Sequence, residues 1–93
     1  MKNTIGFSEM EEKYFNYCIG RKNLDKKTIK SYRIDFRQYI DFINSSSLIW
    51  YEKGSIERYI DIIHSKYKPK SVKRKIASLK AFFHYLEIEE FLA

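Results

Sequence analysis

Apolar residues along this chain recur at steps of three and four, which predicts four amphipathic helices. The first is expected over about Glu9 to Ile19, with Tyr14, Phe15, Cys18 and Ile19 on one face. Ser8 followed by Glu11 reads as a capping box at its start, and Gly20 reads as its stop. The second is expected from about Lys26 to Ile43, after Asp25 as N-cap. Its stripe is Ile29, Tyr32, Phe36, Tyr39, Ile40 and Ile43, and Asn44-Ser45-Ser46-Ser47 ends it. Lys26, Lys30, Arg33 and Arg37 lie together on one flank, while Lys27, Ser31 and Ile34 point away from the stripe. The apolar linker Leu48, Ile49, Trp50 and Tyr51 is expected to fold down on the core as a plug. The lesser alternative makes Trp50 a base-stacking platform.

A third helix is expected over about Ile56 to Lys66, burying Ile56, Tyr59, Ile60 and Ile63. Its other face, with Glu57, Arg58 and Asp61, is mixed in charge and solvated. The fourth is expected over about Pro69 to Glu87. Pro69 suits the first helical position, where its missing donor costs nothing. Val72, Ile76, Leu79, Phe83 and Leu86 form its stripe, with Lys70, Lys73 and Arg74 opposite and Lys80 and His84 further along. Phe91 and Leu92 either pack back on the bundle or lead into a further domain.

The second and fourth helices carry one pattern written twice. Lys27-Thr28-Ile29-Lys30-Ser31-Tyr32 aligns with Lys70-Ser71-Val72-Lys73-Arg74-Lys75 at one constant offset, and Phe36 with Leu79, Ile40 with Phe83 and Ile43 with Leu86 follow it. Each copy begins basic and hydroxyl-bearing and ends aromatic and aliphatic. Such a helix reaches a polyanion with one end and a core with the other.

Net charge sharpens this reading. The chain carries +6 overall: −1 over residues 1–20, +4 over 21–51, 0 over 52–67 and +3 over 68–93. The excess falls on the two copies of the pattern, the footprint expected of a nucleic-acid partner. Aromatic residues make up 17% of the chain, enough large rings for 93 residues to bury a core without disulfides or metal. One Pro and three Gly favour long helices over a turn-rich β fold. The length fits one all-α domain over residues 1–93.

Catalytic chemistry is not legible. His64 and His84 lack metal-ligand or triad spacing, no phosphate-binding glycine loop occurs, and Glu89-Glu90 falls in an end expected to fray. Cys18 is alone and reads as a buried structural thiol. No cofactor is expected, and the chain is expected not to be an enzyme by itself. Met1 to Ser8 lack a signal-peptide layout and no apolar run reaches membrane-spanning length, so a cytoplasmic location is expected, without membrane partners.

The candidate DNA contacts are Lys26, Lys27, Thr28, Lys30, Ser31 and Arg33 on the second helix, and Lys70, Ser71, Lys73 and Arg74 on the fourth. Hydroxyls and backbone N–H groups in the first turns donate to phosphate oxygens, basic side chains supply counter-charge, and the short Ser31 permits close approach to base edges. Against this, Thr28 and Ser71 serve only their own first turns, and Lys30 and Arg37 are ordinary solvated charges. A different class of function, a helical protein-interaction or oligomerisation module, would use Ile34, Phe42 and Tyr85, which lie off the main stripes. A helix-turn-helix regulator is disfavoured because a linker and a third helix separate the two similar helices.

These residues resemble the N-terminal core-binding, SAM-like domain of the tyrosine recombinases, the phage-integrase and Xer-type enzymes. Phe15-Asn16-Tyr17 echoes the aromatic element of that family's first helix. Asp25-Lys26-Lys27-Thr28-Ile29-Lys30-Ser31-Tyr32-Arg33 follows its second-helix pattern. The run from Ser71 to Leu86, ending Ser78-Leu79-Lys80-Ala81-Phe82-Phe83-His84-Tyr85-Leu86, follows its fourth-helix signature. The resemblance implies a compact orthogonal bundle of four helices, forming half of a clamp on duplex DNA. Its second and fourth helices would enter the major groove of a recombination half-site, with Lys27, Thr28, Ser31, Ser71 and Arg74 as contacts. It also implies that the chemistry resides in a separate C-terminal catalytic domain, absent from this chain, and that other recombinase subunits are partners on DNA. The chain is thus expected to be a domain of a longer recombinase; a stand-alone protein is the alternative.

Overall fold

The computed structural model describes residues 6–89 and Phe91. They form four helices and no strand: α1 Phe7–Gly20, α2 Lys26–Ser46, α3 Lys53–Lys66 and α4 Pro69–Ile88. The helix α4 packs against each of the other three, and α2 also packs against α3. The bundle measures 34 × 30 × 20 Å.

The Ser8 capping box does not form. Helix α1 starts two residues earlier, at Phe7, behind Gly6 in the left-handed region (φ 86°), and no side chain caps it. The reason is packing. Phe7 is buried with its ring edge-on to Phe36, Trp50 and Phe82, and holding it there draws the start of the helix past Ser8. Gly20 is the last helical residue, as its position suggests. The predicted face of α1 is right for Tyr14, Phe15 and Cys18, whereas Ile19 stands 55% exposed.

Asp25 is the N-cap of α2, its carboxylate accepting from the Thr28 backbone N–H at 2.8 Å. Helix α2 does not end at Ile43 but continues through Ser46. Ser45 Oγ donates back to the Asp41 carbonyl at 3.0 Å and so remains compatible with the helix. Ser47 then turns left-handed (φ 56°), its N–H closing on Ile43. The linker acts as the plug its composition suggests. Trp50 is buried against Phe7, Phe82 and Phe83, and the Tyr39 hydroxyl donates to its carbonyl. That placement removes Trp50 as a platform for bases. Helix α3 begins at Lys53 rather than Ile56, with Ser55 buried in its first turn and its N–H on the Glu52 carbonyl at 3.1 Å.

The largest departure lies on α4. The sequence pattern favours Val72, Ile76, Leu79, Phe83 and Leu86; the buried line is Val72, Lys75, Leu79, Phe82 and Leu86, with Ser78 beside it. Ile76 and Phe83 are half-buried flanks. On α2 the same line reads Ile29, Tyr32, Phe36, Tyr39 and Ile43, with Asp35 beside it; Tyr32 is half-buried and the rest are buried. Each α4 position lies 43 residues after its α2 counterpart, and Asp35 and Ser78 themselves meet across that offset. The repeat is therefore a repeat of burial register, with each helix turning the same side to the core. The centre is aromatic, with Phe36 packed on Tyr14, Phe15 and Phe82, and Tyr14 also on Phe82, at centroid distances of 5.0–6.0 Å.

Candidate nucleic-acid interface

Because both helices bury the same side, both leave their basic residues outside. Lys26, Lys27, Lys30 and Arg33 of α2 and Lys70 and Lys73 of α4 are exposed. Among the described residues, none of these six has a carboxylate within 4.0 Å; the ion pairs there are Arg37–Asp41, Arg74–Asp35 and Lys75–Asp35. The charge of the five lysines is uncompensated at short range and available to an anion.

Two features bound the patch on α2. Arg33 lies with its guanidinium carbon 4.3 Å from the centre of the Phe15 ring, a cation–π contact that holds it against α1. Beyond it, Arg37 is paired loosely with Asp41 at 3.9 Å. Glu11 faces both Arg33 and Arg37; burial pushes its carboxyl up and the two guanidiniums pull it down. Positive charge on this flank is thus strongest from Lys26 to Lys30 and is offset by acids toward Arg37.

The two helix starts differ. At α2 the Thr28 N–H is already taken by Asp25, whose carboxyl is held below its ordinary range chiefly by that bond. Thr28 is half-buried, and its place in the first turn fits a capping role. At α4 no side chain caps the start, which lies at Pro69 after Lys68, and Ser71 is half-buried in the first turn. The backbone N–H groups there have no competing carboxylate. Ser31 is half-buried one turn beyond Thr28.

Arg74 was expected as an outward cation, and the structure gives it a second attachment. Its Nη2 donates to Asp35 Oδ1 at 2.8 Å and its Nε to Oδ2 at 3.2 Å, with the Arg74 side chain 46% exposed and that of Asp35 fully withdrawn. Lys75 Nζ donates to Oδ1 at 3.0 Å and to Gln38 Oε1, and lies 4.7 Å from the centre of the Tyr67 ring. Ser78 Oγ approaches Oδ2 at 3.4 Å. The bond to Asp35 raises the Arg74 guanidinium further above its ordinary value. Sequence reasoning missed Asp35, Gln38 and Lys75. A carboxylate directly before Phe36, on the inner side of α2, was the available signal, because a buried acid requires a cationic partner.

The residues of the alternative reading are mostly occupied. Phe42 packs on Tyr59 at 5.4 Å, and Tyr85 packs on Tyr17 at 4.8 Å and Tyr14 at 5.3 Å; only Ile34 of the three stands exposed, at 48%. His64 Nδ1 lies 2.8 Å from the carbonyl of Ile60 in its own helix, and no cluster of metal-ligating side chains occurs among the described residues. No helix among them is long and apolar enough to cross a membrane.

The family model described as "Phage integrase, N-terminal SAM-like domain" matches residues 12–90. The chain belongs to this family. The all-α bundle is consistent with a SAM-like domain. A "Tyrosine recombinase" of Agathobacter rectalis is 52% identical over 79 residues, covering 85% of this chain and 26% of the relative. "Tyrosine recombinase XerD" of Listeria innocua is 30% identical over 84 residues, covering 85% and 28%. "Tyrosine recombinase XerC" of Roseiflexus castenholzii is 28% identical over 83 residues, covering 85% and 26%. The chain therefore spans about a quarter of the length of these relatives. No solved structure matches it significantly. The matched span includes α2 and α4 entire, so the basic starts of both belong to this integrase N-terminal domain.

Proposed function

We propose that this domain binds duplex DNA at a recombination half-site, through the basic starts of α2 and α4, on behalf of a tyrosine recombinase. The observation that carries the reading is the uncompensated charge of Lys26, Lys27, Lys30, Lys70 and Lys73 on two helices that repeat one burial register. Phosphates supply the affinity and the helices enter the major groove, with Ser31 allowing close approach to base edges. Thr28 and Ser71 donate their hydroxyls near the phosphates. The domain, residues 1–93, is one half of a clamp. The other half, carrying the nucleophilic chemistry, is the catalytic domain of the parent recombinase, and other recombinase subunits join on the DNA in the cytoplasm. The chain itself is not an enzyme and uses no cofactor.

The test replaces Lys27, Lys30, Lys70 and Lys73 together by Ala. All four are exposed and outside the Asp35 cluster, so the fold is expected to persist. Binding of a generic duplex, measured by fluorescence anisotropy at low salt, is expected to fall to background. Wild-type affinity in that variant contradicts the assignment of the face.

A further inference from the structure

The Asp35 cluster has an unbalanced charge. One carboxylate faces two cations, Arg74 and Lys75. Lys75 is sealed in, its side chain 4% exposed, whereas that of Arg74 is 46% exposed. The surplus positive charge therefore meets solvent at Arg74. The bidentate contact engages one edge of the guanidinium, Nε and Nη2, and leaves Nη1 and the second N–H of Nη2 as donors on the free edge. Arg74 differs in this from Lys27, Lys30, Lys70 and Lys73, which are long side chains without such an anchor and lose rotamer freedom when they contact an anion. The partner that fixes it is itself fixed: Asp35 accepts from Arg74, Lys75 and Ser78 at the interface of α2 and α4.

We infer that Asp35 is a positioning residue for DNA binding, holding the Arg74 guanidinium in the orientation in which its free edge meets a backbone phosphate. The inference rests on the DNA-binding reading above. It makes a prediction that net charge alone does not: removing a negative charge beside the binding face weakens binding. Asp35→Asn adds one positive charge to the domain, so a purely Coulombic account has affinity rise or stay level. The positioning account has affinity fall about 5- to 10-fold, the coupling expected when an anchored charge contact is released.

The experiment measures duplex affinity at one low salt concentration for wild type, Asp35→Asn, Arg74→Ala and the double variant, with circular dichroism confirming the helical fold of each. The expected result is a 5- to 10-fold loss for Asp35→Asn in the wild-type background and less than a 2-fold loss in the Arg74→Ala background. Unchanged or tighter binding by Asp35→Asn overturns the inference, and so does an equal loss in both backgrounds, which marks a merely structural role. If Asp35→Asn does not fold, side-chain relaxation of Arg74 Nε in the wild-type protein decides: motion as restricted as the helix backbone before DNA is added supports it, and a freely mobile Nε overturns it. Absence of wild-type binding at low salt is a separate outcome that removes the DNA-binding reading itself.

Discussion

Lys75 Nζ lies 3.0 Å from Asp35 Oδ1 with both side chains almost wholly withdrawn from water. The two residues are not equivalent in what their loss exposes. Removing the carboxylate strands a buried ammonium beside Gln38 Oε1 and the Tyr67 ring. Removing the ammonium leaves Asp35 still paired with Arg74 and Ser78. Asp35→Ala is expected to destabilise the fold by about 3–5 kcal/mol, and Lys75→Met by distinctly less. Urea unfolding followed by circular dichroism reads both midpoints, and equal shifts would contradict the asymmetry.

The Tyr39 hydroxyl, in a fully buried ring, donates to the Trp50 carbonyl and ties α2 to the plug. Tyr39→Phe is expected to cost about 0.5–1.5 kcal/mol, the net worth of one intramolecular hydrogen bond. Trp50 itself gives a second readout. Buried at 3% exposure, it should emit as an apolar-site tryptophan and hold its emission wavelength when duplex DNA is added. A DNA-dependent shift or quench would return Trp50 to the binding face.

Cys18 is fully buried, and that burial pushes its thiol upward from the ordinary value. A thiol-specific reagent is expected to leave the native protein unmodified over the time in which it labels the urea-unfolded chain to completion. Rapid native labelling would mean that α1 opens away from the bundle.

Asp25 gives stability a sign with pH. Its carboxyl is held below the ordinary range mainly by the Thr28 N–H, so its contribution is present above the unfolded-state pKa of about 3.9. That contribution is lost as pH falls through the lower folded value. Asp25→Asn keeps a competent N-cap without the titration. Wild type is expected to lose more stability than Asp25→Asn between pH 6 and about pH 3. Asp25→Ala, with no cap, is expected to be less stable than both at pH 6. Parallel profiles for wild type and the Asn variant would contradict the capping bond.

The four helices, the Asp25 cap, the Pro69 start and the plug were legible because each is written in local chemistry: a periodic stripe, a capping oxygen, a fixed φ, an apolar loop. The repeat was legible as sequence but not as register. Hydrophobicity prefers Ile76 to Lys75, and a stripe drawn through Ile76 and Leu79 runs on to Phe83 rather than Phe82, since nothing local marks Lys75 as buried. Its partner Asp35 lies 40 residues away, and only the packing of α4 on α2 joins them. Ser8 misled for a related reason: a good local cap yielded to the burial of Phe7 among rings from α2, the plug and α4. On the candidate face, exposure of the lysines followed from the stripe, while the attachment of Arg74 to a buried acid did not.

Whether the starts of α2 and α4 form one DNA-binding face is read by an amide-shift titration with a generic duplex. Perturbations are expected to concentrate at residues 26–33 and 70–74, with Trp50 and the α3 face of Glu57, Arg58 and Asp61 unmoved. With roughly four to six phosphates neutralised, log affinity should fall against log salt with a slope of about −4 to −5. Perturbations elsewhere, or none at those residues at low salt, would contradict a shared face.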